Sequence, residues 1–594
     1  MFVPSKPSPP HASAMQRRRF VQGLTAASAT AAGLWGTAAK AAGETGSLVL
    51  PGPRFDLTVA ETPVNITGRR SIATAVNGQF PGPTLLWREG ETVTINLTNR
   101  LSVPTSIHWH GINPPAAMDG VPGVSFAGVA PGATFTYRIP VEQSGTYSYH
   151  SHSGLQEMTG LFGALIVVPK QTEPYRYDRE HVILLSDWSD ENPDTVLSNL
   201  KFDSPYYNRN QRTVGNSLSD TARDGLGSTL KDRWMWGRMR MSPTDLADVT
   251  GELFTYLVNG QPPATNWTAL FRPGERVRLR FINGAGMTFF DVRIPGLRMT
   301  VVAADGNDVA PVNVEEFRIG VAETYDVIVE PGAAPAYTIF AQAQDRTGYA
   351  RATLAVRDGP AAAVPPMDPR PIRTMVDMGM AGDMAAMVPA KADSGMAGMT
   401  MGAPARPSPG TGMAGMAMAG PAAPARPLAT GVGVDNIAMA PMNRLGDPGI
   451  GLGNSGRRVL NYRDLRALRP FKDQRPPSRE ITLHLTGNMD RYMWGFDGKK
   501  YSEAPEPIRL ALNERVRFIL INDTMMEHPI HLHGLHMVLE NGQGALLPAK
   551  HTITVKGGER LSYLVTADSA GSWAFHCHLL MHMDTRMLRV VAVA

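Results

Sequence analysis

The stretch WAFHCHLLMHMDTRM, residues 573–587, contains Cys577, the only cysteine of the 594-residue chain. His576 and His578 flank it, His582 follows five residues later, and Met587 five after that. Two imidazoles, a thiolate and a thioether are the ligand set of a blue-copper electron-transfer site, with Met587 as the weak axial ligand. Successive side chains of a strand face opposite ways. Cys577 therefore points to one metal while His576 and His578 point to something else, and one strand joins two centres.

A second ligand run, HPIHLHG at 528–534, has the same logic: His531 and His533 share a face of an extended chain and His528 lies on the other. Two more pairs stand far upstream, His108 with His110 and His150 with His152. Chance would give about 0.4 such i, i+2 pairs for a chain with this histidine content, and four occur. Surface or core histidines satisfied by hydrogen bonds explain any one pair but not four. His11, His181, His484, His536 and His551 lack ligand spacing and receive no metal role. Asp119 sits in an Asp-Gly pair, first of all a turn signal, but its position nine residues after His110 also suits proton handling.

Around these ligands the chain reads as all-β. Its patterned segments, such as VTINLTN (93–99) and RVRLRFING (276–284), are short, rich in Val, Ile, Thr and Phe, and bounded by turn residues. The length allows about three or four domains. An internal repeat supports three: Val76-Asn77-Gly78-Gln79 recurs as Val258-Asn259-Gly260-Gln261 and, more faintly, at Phe496-Asp497-Gly498, each followed by a Gly-Glu or Asn-Glu turn and a strand. The expected division is residues 47–170, 171–357 and 446–594, with 358–445 between the second and third. The middle unit has one histidine, His181, and is expected to space the two ends rather than to bind metal. Within it Arg233-Trp234-Met235-Trp236, with Met239 and Met241, reads as packing.

Residues 358–445 change abruptly to Met, Gly, Ala and Pro. Thirteen methionines lie between Met375 and Met442, with no aromatic residue or histidine among them. Such a segment builds no packed core and is expected to be disordered without ligand. A tether explains Gly, Ala and Pro but not methionine, whereas soft thioethers select Cu(I), so the segment is read as copper-binding.

Residues 1–42 read as a twin-arginine signal: Arg17-Arg18-Arg19-Phe20-Val21, an apolar Ala-rich run from Leu24 to Ala39, then Ala39-Lys40-Ala41. The run is too short for a membrane span. The first 41 residues carry +5 of a whole-chain +4, leaving the remainder near −1, so nucleic acid is excluded as a partner. One cysteine permits no intramolecular disulfide, which frees Cys577 for ligation.

With HWHG, HSH, HPIHLHG and HCHLLMHMDTRM in this order, the sequence resembles a three-domain multicopper oxidase, and the Met-rich insert, the signal and MSPTDL (241–246) make it most similar to the bacterial copper-resistance (CopA) branch. The resemblance implies three cupredoxin-like Greek-key domains and four coppers. It places type 1 copper on His528, Cys577, His582 and Met587, type 2 on His108 and His531, and the type 3 pair on His110, His150, His152, His533, His576 and His578. It further implies a monomeric, laccase-like periplasmic oxidase that takes electrons from Cu(I) or phenols and reduces O2 to water, with Asp119 as the acid near the cluster. Some members of the family it resembles carry a second acid immediately after the type 1 histidine. Here that position is Met583, and Glu527 and Asp584 are the nearby candidates. The competing reading is a copper-sequestering protein whose Met-rich segment stores Cu(I).

Overall fold

The computed structural model describes residues 48–380 and 428–594; the stretch expected to be a signal and most of the Met-rich segment lie outside the described residues. The described chain forms three β-units in sequence order, each two sheets face to face. Packing demands this: strands such as Thr92–Asn99 bury alternate residues, Val93, Ile95, Leu97 and Asn99, and need a second sheet to cover that face. No helix among the described residues is long and apolar enough to cross a membrane.

The sequence repeat is a repeat of structure. Asn77-Gly78, Asn259-Gly260 and Asp497-Gly498 all have positive φ, between 50° and 77°, which is the two-residue turn that suits a twisted hairpin. Each turn is tied to a neighbouring strand in the same way. Asn77, Asn259 and Asp497 accept, through a side-chain oxygen, the backbone N–H of Thr58, Leu184 and His484 at 2.7, 2.8 and 2.9 Å.

A second repeated device escaped the sequence reading. Asn99, Asn283 and Asn522 end equivalent strands, are fully buried, and each donates to two backbone carbonyls further along the chain. In the last unit these carbonyls are Met526 and Val555, at 2.7 and 2.9 Å. Asn522 thereby shapes the loop that delivers His528.

The apolar side chains of the middle and last units merge into one core, while the first unit has its own around Trp87, Trp109 and Tyr137. The all-β reading missed three helices in the middle unit, Pro193–Phe202, Val214–Asp224 and Leu226–Met239. Of the Trp–Met cluster there, Trp236 is buried and Met239 and Met241 pack on the core, whereas Trp234 is exposed beneath the Arg238 guanidinium.

Candidate metal centre

Two sheets bring the histidines together. In the first unit the strand His108–His110 pairs antiparallel with Gly145–His150, setting His108 opposite His150. In the last unit the strand His528–Leu532 lies between Thr552–Val555 and Gly571–Cys577, with Ile530 opposite Cys577 and His531 opposite both His576 and Thr552. The pleat then separates the ligands as alternation requires. Cys577 meets His528 and His582 on one face, and His576 turns with His531 to the other.

On the first face, Cys577 Sγ lies 3.5 Å from His528 Nδ1 and 3.7 Å from His582 Nδ1, all fully buried. Met587 is buried beside them, its backbone bonded to both Cys577 and His582. His582 sits in the five-residue helix Leu580–Asp584, which docks on the middle unit through Leu580 N–H to Gly286 C=O at 2.9 Å. Its ring stacks on buried Trp494, centroids 3.9 Å apart. Outer partners fix both rings: Thr524 Oγ1 at 2.7 Å from His528 Nε2 and Asp248 Oδ2 at 2.7 Å from His582 Nε2. Each histidine is left with Nδ1 facing the thiol.

On the other face, eight histidines from the first and last units converge. Ring nitrogens of His110, His150 and His578 form one tight group, and those of His152, His533 and His576 another. His108 and His531 complete the set, grouped with His110. All but His152 are buried to within a few per cent. Here too a partner outside the cluster selects the inward nitrogen, as metal-ligating histidines require. His533 Nδ1 donates to Asp119 Oδ2 at 2.9 Å, and His108 Nδ1 donates to Asp119 C=O at 2.8 Å with Oδ1 at 3.3 Å. His150 Nδ1 lies 3.0 Å from Glu157 Oε2, and His576 Nδ1 is 2.9 Å from Cys577 C=O. Asp119 is both turn and partner: a Cβ on Gly120, at φ +84°, would fall 1.9 Å from Ile107 C=O.

The residues fit a metal. Nε2 of His108, His152 and His531 are buried with no hydrogen-bond partner, a cost that a ligated ion removes. Burial, reinforced by neighbouring histidines, holds His110, His152, His531, His533 and His578 well below the ordinary imidazole range, and burial takes His576 to about 3. These six rings are therefore neutral, as ligands must be.

Sequence reasoning missed Glu157, Asp248 and His551. His551, given no metal role, stands 3.0 Å from His110 Nε2 through its Nδ1. The other histidines passed over and described here are bonded elsewhere: His181 to Leu270 C=O, His484 to Asp523 and His536 to Asn113. Glu527, offered as a proton-route acid, pairs with Arg318 at 3.4 Å.

Comparisons with known proteins agree with this geometry. Multicopper oxidase family profiles match residues 58–172, 179–359 and 474–594. The chain is 54% identical to Copper resistance protein A of Escherichia coli, over 97% of this chain and 99% of that protein. It is 29% identical to Multicopper oxidase MmcO of Mycobacterium tuberculosis, over 86% and 80%. Among solved structures, Fet3p, a multicopper oxidase that functions in iron import, superposes with a TM-score of 0.61 at 20% identity over 92% and 90% of the two chains. The laccase of Botrytis aclada gives 0.60 at 21% over 92% and 88%. Three matched profiles, near-full-length identity and a copper-type ligand set on paired β-sheets place the chain in the multicopper oxidase family.

Proposed function

We propose that this copper oxidoreductase is an exported, periplasmic copper-resistance enzyme that oxidises Cu(I), and phenols more loosely, with O2 as acceptor. Four coppers per chain are assigned: one on His528, Cys577, His582 and Met587, one on His108 and His531, and one on each triad of His110, His150, His578 and His152, His533, His576. Copper bound there supplies one-electron oxidation of the donor and four-electron reduction of O2 to two waters.

One observation carries the reading. Cys577 shares a strand with His576 and is followed by His578, so its side chain and adjacent peptide bonds form a covalent path from the first face to both triads. Asp119, between His108 and His533, is assigned as the carboxylate that passes protons to the cluster. The Cu(I) preference draws on methionines. Met581 and Met583 bracket His582, and the ends of the Met-rich segment are pinned together, Ala440 N–H to Gly379 C=O at 2.8 Å. That junction abuts the Gly557-Gly558 turn, itself against Met525 in the loop leading to His528. The relative named for copper resistance supports the physiological role, and the arginine-rich N-terminus supports export.

The test is O2 uptake driven by Cu(I), wild type against a deletion of residues 384–418, which spares the packed Met375–Met380 turn. Reduced uptake at low Cu(I) with phenol oxidation intact is expected; equal uptake removes the feeding role. Sequestration is the second reading, motivated by the thirteen methionines. If Cys577→Ser protects cells from copper as well as wild type does, storage is the function.

A further inference from the structure

The middle unit offers no histidine to the cluster, yet one of its carboxylates governs a segment that two cluster rings depend on. Asp305 opens the two-residue turn Asp305-Gly306, between paired Ala304 and Asn307, and is fully buried. Its Oδ1 accepts Thr324 N–H at 3.0 Å, which fixes the carboxylate within its own unit. Its Oδ2 faces three donors from consecutive residues of the last unit: Lys550 Nζ at 3.0 Å, His551 N–H at 3.2 Å and Thr552 N–H at 3.1 Å.

The far side of that tripeptide meets the cluster. His110 Nε2 lies 3.0 Å from His551 Nδ1 and 3.1 Å from Thr552 Oγ1. His531 Nδ1 donates to His551 C=O at 2.5 Å. His110 is thus the cluster ring that shows Nδ1 inward, 3.5 Å from His150 Nε2, while His531 shows Nε2. The fit is close on every side: a Cβ on Gly111 would fall 2.4 Å from His551 Cδ2.

Charge supports the same arrangement. Burial acts to strip Lys550 of its proton, and Asp305 with Glu323, whose Oε1 is 3.1 Å away, more than offsets it, so the ammonium stays charged. A buried ion pair adds little net stability over an apolar pair of the same volume. What this one supplies is a fixed place for residues 550–552.

We propose that Asp305 is a positioning residue for the copper cluster, setting His110 and His531 through His551 and Thr552. This rests on the assignment of those two histidines as copper ligands. Loss of an outer partner typically costs 10–100-fold in metal affinity.

The experiment is copper count, chelator competition and absorption spectra of the full-length protein, with the melting temperature of the metal-free form as a fold control. Wild type, Asp305→Asn, Thr552→Val and Thr552→Ser are compared. Asp305→Asn and Thr552→Val should keep the Cys577 thiolate band and hold cluster copper about 10–100-fold more weakly, and Thr552→Ser, which retains the hydroxyl, should match wild type. If Asp305→Asn does not fold, Asp305→Asn/Lys550→Met removes the stranded charge and is expected to give the same pattern. Wild-type cluster retention in both Asp305→Asn and Thr552→Val overturns the proposal, as does loss of the thiolate band in step with the cluster. A wild-type protein without cluster copper would instead sink the ligand assignment itself, and this inference with it.

Discussion

Nε2 of His582, in the last β-unit, donates to Oδ2 of Asp248, in the middle one, across 2.7 Å with both groups buried. The same oxygen accepts the Tyr492 hydroxyl at 2.9 Å. The middle unit therefore aims a ring that it does not carry. Asp248→Ala should weaken copper at the Cys577 site about 10–100-fold, with Asp248→Asn, which keeps an acceptor oxygen, in between. Chelator titration read on the thiolate band measures this, and an unmoved midpoint in Asp248→Ala refutes it.

Asp119 and Glu157 are both buried against the cluster, and they separate by role. Asp119→Asn keeps an acceptor for His533 but has no acid proton to give, so copper content should hold while O2 uptake per copper falls about 100-fold or more. Glu157→Gln only replaces one acceptor on His150, which has Ser151 C=O at 3.2 Å as another, and both quantities should stay near wild type. Unchanged turnover in Asp119→Asn would end its proton role.

The histidine and cysteine clusters were legible because their spacing is the pleat itself: His108 and His110, or Cys577 between His576 and His578, declare their faces without any knowledge of the fold. Their partners were not. Asp248, Glu157 and Asp305 are single acids with no local pattern, and His551 reaches His110 only because strand Thr552–Val555 is laid beside His531. Asn99, Asn283 and Asn522 were within reach, lying 22, 24 and 25 residues after the repeated turn residues Asn77, Asn259 and Asp497. The helix Leu226–Met239 failed for the opposite reason. Leu226, Leu230 and Trp234 make an apolar stripe at helical spacing, and that stripe faces solvent.

Arg586, just before Met587, holds φ at +82° with its side chain exposed. Non-glycine residues there carry about 1–3 kcal/mol of strain, and glycine gives back part of that in chain entropy. Arg586→Gly should stabilise the metal-free protein by roughly 1 kcal/mol, seen as a rise in melting temperature. An unchanged or lower value would show that the conformation is not strained.

Stability should also depend on pH through Asp245. Burial, then the like charge of Asp248, lifts its carboxyl to about 7, against partial relief from Asn208. Between about pH 4 and 7 the folded chain holds a proton that the unfolded chain has released, so this residue's contribution falls as pH rises through that window. The full effect is on the order of 4 kcal/mol at most. Asp245→Asn should flatten the difference in metal-free melting temperature between pH 5 and pH 8, chiefly by raising the value at pH 8. An equal difference in both proteins would place the titration elsewhere.

Copper loading should release a proton from Cys577. Burial holds the thiol well above its usual range, against a backbone hydrogen bond at Leu579 and with Asp248 adding to the rise, while burial, His582 and Arg373 hold His528 well below the usual imidazole range. At pH 7 the metal-free site thus presents a protonated sulfur and a neutral His528 ring. Copper binds the thiolate, so the sulfur gives up its proton and the ring gives none. Calorimetric loading in buffers of different ionisation enthalpy should show wild type releasing about one proton more per chain than Cys577→Ser. The difference should hold from pH 6 to 8, since nothing at His528 titrates in that range. A difference that vanished, or that changed across it, would mean that the sulfur is already ionised or that a histidine shares the proton.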